Sequence, residues 1–230
     1  MTPRGFMPGA VVKNVPPGVN DPGIIPCGVV THIAVSLRDS LPPSGDSGKD
    51  WHFYVAFDGT IEQYRSIYFE ADAQFSGSSF IRNGVRVGFI SIESQGLEDG
   101  EWTVAQLASI LAIIQWVNDQ ESFPLRPCRA WNDPGVGYHR MFEEWNLNHH
   151  SCPGDKRVIQ FEQDLIPLLK GSDVTPEEMD QIADLVIARL GEGRVKDPRP
   201  GHETQTLPLS TVLQAIWTIV HETSEVVDAK

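Results

Sequence analysis

The stretch CGVVTHIAVS, residues 27–36, is apolar and largely β-branched, broken only by Thr31 and His32. A run of this length without polar alternation predicts a strand buried on both faces, in the middle of a sheet. A histidine near the end of such a strand has to find a partner for its ring nitrogens. His32 is therefore the first residue to ask chemistry of.

WHFYVAFDGTIEQY (51–64) sets Asp58-Gly59 between two β-prone runs and predicts an antiparallel hairpin. VRVGFISIES (85–94) repeats the buried-strand pattern and carries a carboxylate, Glu93, at its end. Thr103 and Gln106 form a capping box ahead of Leu107, Ile110, Leu111, Ile114 and Val117, spaced for one face of a helix. From Phe123 to Gly154 the chain is rich in Pro, Gly, Asn, His and Trp, which predicts a long functional loop rather than regular elements. Strands mixed with helices make this an α/β domain over residues 1–170. Residues 171–230 read as a helical tail of unassigned role: one helix begins at Thr175-Pro176-Glu177-Glu178, a linker covers 191–208, and a second amphipathic helix follows from Leu209. Such short helices have to pack on each other, on the main domain or on another copy, which leaves self-association through the tail open.

The whole chain of 230 residues is 40% hydrophobic, enough for a real core, and carries a formal charge of -13. That charge repels phosphate backbones, and the basic residues do not cluster, so nucleic acid is excluded as a general partner. The first 25 residues are rich in Pro and Gly and lack an apolar signal core, and no run is long enough for a membrane span. The expectation is a chain made without an ordinary secretion signal and without membrane insertion. Its three cysteines, Cys27, Cys128 and Cys152, are too few for a disulfide scaffold and leave at least one free thiol. Cys27 and Cys128 read as buried small hydrophobes.

No HExxH, paired CxxC, P-loop or GxSxG motif is present. What remains is a constellation of His32, His139 in GVGYHRMF, and His149, His150 and Cys152 in NHHSCPGD. A catalytic zinc takes three ligands from His, Cys and carboxylates and leaves a fourth position for water, which His32, His139 and Cys152 would satisfy. Cys152 acting as a nucleophile with a histidine base is an equally three-dimensional arrangement. Packed core histidines with solvated neighbours are a third, and spacing does not separate the three.

In order along the chain, VVTHIAVS, WHFYVAFDGTIEQY, VGFISIESQG, EWTVAQLASILAIIQWV, and GVGYHRMF leading to SCPGDKRVIQF resemble the zinc-dependent type-2 N-acetylmuramoyl-L-alanine amidases. More narrowly, they resemble the amidase domains of endolysins from phages of actinobacteria. The resemblance covers about residues 8 to 170 and leaves the tail outside. It implies a central mixed β-sheet flanked by helices, the fold shared by these amidases and the peptidoglycan recognition proteins, with a metal in a groove at one edge. It implies one zinc ion per chain, held by His32, His139 and Cys152. Many members carry the second histidine closer to the cysteine, which makes His149 the alternative to His139. The family's catalytic carboxylate falls on Glu93. Where relatives have an oxyanion-stabilising lysine, two residues before the cysteine, this chain has His150, so activity is expected to depend on pH. Where several relatives have a tyrosine near the metal, it has Trp51, which cannot act as an acid.

The resemblance therefore implies hydrolysis of the bond between N-acetylmuramic acid and L-alanine in bacterial peptidoglycan, by an enzyme stored in the host cytoplasm until lysis and then acting on the wall. Trp51, His52, Trp131 and Trp145 are the expected substrate-facing residues, the last two as groove walls. Trp102 and Trp116 frame the helix and are expected in the core. A non-catalytic peptidoglycan-binding module of the same fold and a cysteine amidase or peptidase are the competing readings.

Overall fold

A computed structural model of the chain describes residues 4–13, 21–41 and 51–170. The strands are β1 (Val11–Val12), β2 (Ile25–Ile33), β3 (Phe53–Val55), β4 (Ile61–Gln63), β5 (Ser79–Arg82), β6 (Val85–Ser94) and β7 (Gly135–Tyr138). Helix α1 covers Val104–Gln120, and α2 (Asp155–Gln160) runs through a wider turn at Phe161–Leu165 into α3 (Ile166–Lys170). The tail helices and the linker expected after residue 170 lie outside the described residues.

The apolar run that begins at Cys27 lies in β2, the strand at the heart of the sheet. β2 pairs in parallel with β6 on one side and β7 on the other, and β3 lies parallel to β6 beyond it, giving the order β1-β4-β3-β6-β2-β7. Antiparallel partners close the margins: β4 returns against β3, and β5 pairs with the first half of β6. The sheet is therefore mixed, with a parallel centre of four strands whose carboxyl ends share one edge. The expected hairpin joins β3 to β4, with Gly59 at φ +87°, a left-handed conformation open to glycine at no steric cost.

Period-two alternation divides the side chains between the faces. Val29, Phe53, Val55, Ile90, Ile92 and Val136 point to one side, where α1 brings Ile110, Ile113, Ile114 and Val117 and the wider turn and α3 bring Phe161, Leu165 and Leu169. The capping box predicted for α1 is formed in both directions, Thr103 Oγ1 accepting from Gln106 N and Gln106 Oε1 accepting from Thr103 N. Trp102 is buried in this core and Trp116 packs against it, as expected. The opposite face has no long helix among the described residues. Short 3-10 turns at Asp72–Gly77 and Glu143–Trp145 cover it, around a smaller cluster of Val30, Phe89, Cys27, Cys128 and Trp145.

The stretch read as loop from Phe123 to Gly154 contains a strand, β7, and this corrects the sequence reading. Two glycines in four residues erase the β signal there. The fold requires them small: a Cβ on Gly137 would come within 2.6 Å of Trp145 Cζ3, and one on Gly135 within 2.6 Å of the Arg126 carbonyl.

Candidate metal centre

The parallel register places the site. His32 on β2 is the direct neighbour of Glu93 on β6, and Glu93 is in turn the neighbour of Tyr54 on β3. On the other side Thr31 is level with Tyr138, so His139, one residue further, leaves β7 beside His32. The two imidazole rings stand 4.6 Å apart, centre to centre. This row lies at the carboxyl ends of the parallel strands, the edge of an α/β sheet where ligands bind.

Cys152 comes to the row from the loop before α2. Its Sγ lies 3.9 Å from His32 Nδ1 and accepts a hydrogen bond from Ile33 N at 3.3 Å. Buried Arg157 holds this loop against the chain that follows β6, donating to the Leu97 carbonyl at 2.9 Å and the Gln95 carbonyl at 3.3 Å. At Gly154, φ +94°, the backbones approach so closely that a Cβ would sit 1.9 Å from the Glu98 carbonyl oxygen. The cysteine is thus set by packing between loops rather than by a regular element.

His32, His139 and Cys152 are all buried, and each offers a ligand atom, these atoms lying within 4.8 Å of one another. His139 Nε2 is buried without a hydrogen-bond partner among the described residues. A hydrogen bond from His139 to the Trp145 backbone favours its protonated form, but burial and the neighbouring His150 outweigh it and push the ring down to about 4. Burial, then His139, holds His32 well below the ordinary histidine value. Burial, then the Glu93 charge, pushes the Cys152 thiol well above its ordinary value. At neutral pH the metal-free cluster is a thiol beside two uncharged imidazoles. That is the reverse of an activated cysteine, which needs a lowered pKa or an imidazolium beside it. It suits a soft cation, for which neutral imidazole and sulfur are fitting donors and which would itself draw the proton from the thiol.

The carboxylate of Glu93 reaches His32 Nδ1 at 3.9 Å and keeps 14% of its side chain exposed. His150 is exposed, its ring stacked on that of His139 at 6.0 Å and 24°. These two residues mark the side from which solvent reaches the buried donors. His149 is exposed, with φ +53°, and lies outside the cluster that contains His139.

Two residues expected to face substrate do not. His52 is fully buried, its Nδ1 bonded with Ser91 and its Nε2 with the Phe69 carbonyl at 2.9 Å, and burial pushes it down to about 3. It is a satisfied core histidine. Trp145 is also fully buried, packed edge-on against Phe89 and Phe142 at 4.9 Å each, with Nε1 donating to the Trp131 carbonyl. It supports the site from beneath instead of lining a groove. Trp131 is half-buried against Phe80, and Trp51 is half-buried against Tyr64. Cys27 and Cys128 are free and buried, as expected, and burial pushes both thiols to about 12.

Sequence reasoning missed Gln74, whose side-chain amide meets His32 Nε2 at 3.1 Å, and Arg157 behind Cys152. Gln74 lies in the Ser- and Gly-rich stretch AQFSGSS, where no periodicity singles it out. Arg157 looks like any charged residue in a helix first turn, and only its complete burial distinguishes it.

No protein-family model matches the chain, and no curated protein matches it. Among solved structures, the chain is similar to the N-acetylmuramoyl-L-alanine amidase LysC from Clostridium intestinale URNW, at 18% identity over 69% of this chain and 99% of that one, with a TM-score of 0.45. It is also similar to the Drosophila peptidoglycan recognition protein SD, at 12% identity over 67% and 94%, TM-score 0.47. A third similar structure is Citrobacter freundii AmpD, at 15% identity over 73% and 96%, TM-score 0.40. No helix among the described residues is long and apolar enough to cross a membrane.

Proposed function

We propose that the chain is a zinc-dependent N-acetylmuramoyl-L-alanine amidase acting on bacterial peptidoglycan. The observation that carries this reading is the convergence of His32, His139 and Cys152 with Glu93 on the adjacent strand. The motif order along residues 8 to 170 supplies the substrate class. In this reading His32, His139 and Cys152 hold one zinc ion. A zinc ion held by these three residues would supply Lewis-acid chemistry, polarising the scissile carbonyl and lowering the pKa of a bound water.

Glu93 accepts a proton from the attacking water and delivers it to the nitrogen of L-alanine as the C–N bond breaks. The products are the lactyl carboxylate of N-acetylmuramic acid and a stem peptide with a free amino group. His150, exposed beside His139, donates a ring N–H toward the carbonyl oxygen as negative charge develops on it. Arg157 and Trp145 fix the loops that carry Cys152 and His139. In this reading Trp51 and Trp131, each half-buried, contact the substrate. The setting is that of an endolysin, held in the host cytoplasm and meeting the wall at lysis.

The test is hydrolysis of purified cell walls by the full chain before and after exhaustive chelation. Loss of activity on chelation, recovery with zinc, and release of new alanine amino groups without new reducing sugars are expected. Activity that survives chelation would overturn the metal reading in favour of a Cys152 nucleophile. Tight wall binding with no bond cleaved would make the chain a binding module.

A further inference from the structure

Gln74 is fully buried on the turn Asp72–Gly77, and its amide makes the 3.1 Å contact with His32 Nε2. The two nitrogens of His32 thus have different surroundings. Nδ1 faces Cys152 Sγ and Glu93 Oε1, each at 3.9 Å, while Nε2 meets the amide. The turn is held in place from both sides. Gln74 N donates to Ser78 Oγ at 3.0 Å, Ser78 Oγ donates back to Gln74 Oε1 at 3.2 Å, and Gly77 lies against Trp145 so closely that a Cβ would come within 2.5 Å of Cδ1.

A neutral imidazole carries its one proton on one nitrogen or the other. With the Gln74 amide nitrogen donating to Nε2, the ring proton sits on Nδ1, the atom that faces Cys152. A metal cannot bind there until that proton is gone. A half-turn of the amide presents its oxygen instead, which accepts from Nε2–H and leaves a lone pair on Nδ1. The Ser78 hydroxyl can follow the change, since it can accept from the amide NH2 as readily as it donates to the amide oxygen. A carboxylate in the same place would hold only the second arrangement, and an apolar side chain neither.

We propose that Gln74 is the positioning residue of His32: its amide selects the ring tautomer, donating to Nε2 in the metal-free chain and turning over to accept from Nε2–H when Nδ1 takes a metal. Ser78 is the hydroxyl that reverses its role with it. The inference rests on the metal reading of His32, His139 and Cys152. A ligating histidine is ordinarily oriented through its other nitrogen, and loss of that partner typically lowers metal affinity by ~10–100-fold.

The experiment uses the full chain with 15N-labelled histidine. The His32 ring is followed by NMR in the metal-free chain and with one equivalent of zinc, for wild type, Gln74→Glu and Gln74→Leu. Zinc affinity is measured by competition with a chromophoric chelator, and thermal unfolding checks the fold. In wild type the ring proton should move from Nδ1 to Nε2 on adding zinc. In Gln74→Glu it should lie on Nε2 already without metal, with zinc affinity at least that of wild type. Gln74→Leu should lose ~10–100-fold in zinc affinity. Wild-type affinity in a folded Gln74→Leu, or the same metal-free tautomer in Gln74→Glu as in wild type, would overturn the proposal. Failure of the wild-type chain to bind zinc would overturn the metal reading instead, and the metal-free tautomers of wild type and Gln74→Glu would still decide the role of Gln74.

Discussion

Glu93 stands between His32 and Tyr54 in the sheet register, and its partial exposure gives it contact with both the buried donors and solvent. Those are the two requirements of a group that takes a proton from water and gives it to a leaving amine. Replacing it by glutamine keeps the shape and removes the ionisable carboxylate. Glu93→Gln is expected to retain the zinc content of wild type while wall hydrolysis falls by ~100-fold or more. Metal analysis alongside a turnover assay checks this, and near-normal turnover would reject the assignment. His150 and Trp51 depart from the resembled family's pattern at single positions. The histidine still presents a polar ring at the open side of the cluster, while the tryptophan packs edge-on against Tyr64, 5.6 Å away.

At the scale of elements, β2, β6 and the hairpin of β3 and β4 were legible because unbroken apolar runs and an Asp-Gly turn are local signals. The same holds for α1 and its capping box. β7 was not legible, because what makes it a strand is pairing with β2 and the contact of Gly137 with Trp145, and neither is local. The two cases predict different responses to mutation. Thr103→Ala removes a cap whose side-chain hydrogen bonds run to Gln106 N and the Phe57 carbonyl, not to the cluster, and should cost about 1 kcal/mol without changing zinc affinity. Gly137→Ala forces a methyl against a fully buried indole whose backbone also holds His139. It should cost about 1–3 kcal/mol and weaken zinc binding as well. Urea unfolding of the metal-free chain and zinc competition on the folded one separate the effects. A Gly137→Ala chain with wild-type zinc affinity would show that Trp145 does not govern His139.

Among the described residues of the whole chain, the buried histidines His32, His52 and His139 bind the fold to pH. Burial depresses His52 to about 3 and His139 to about 4, and His32 is shifted in the same direction, against an ordinary value of 6.5. As pH falls below 6.5, the unfolded chain takes up protons on these rings that the folded chain refuses, so the metal-free protein should lose stability toward pH 4 and hold it above 6.5. Urea midpoints measured across that window test the sign, and His52→Gln should flatten part of the slope. A midpoint that rises on acidification would contradict the burial of the rings. The buried strands, the hairpin, the capped helix and the set of residues able to do chemistry could be read from the sequence, because periodicity, turn chemistry and residue type are carried locally. Contacts across the fold bring His139 rather than His149 beside His32 and Cys152, bury His52 and Trp145 in the core, and set Gln74 against His32 Nε2. Each of those outcomes depends on contacts between distant segments, such as His32 with Cys152 at 120 residues' separation, and no local pattern encodes which distant surfaces will pack together.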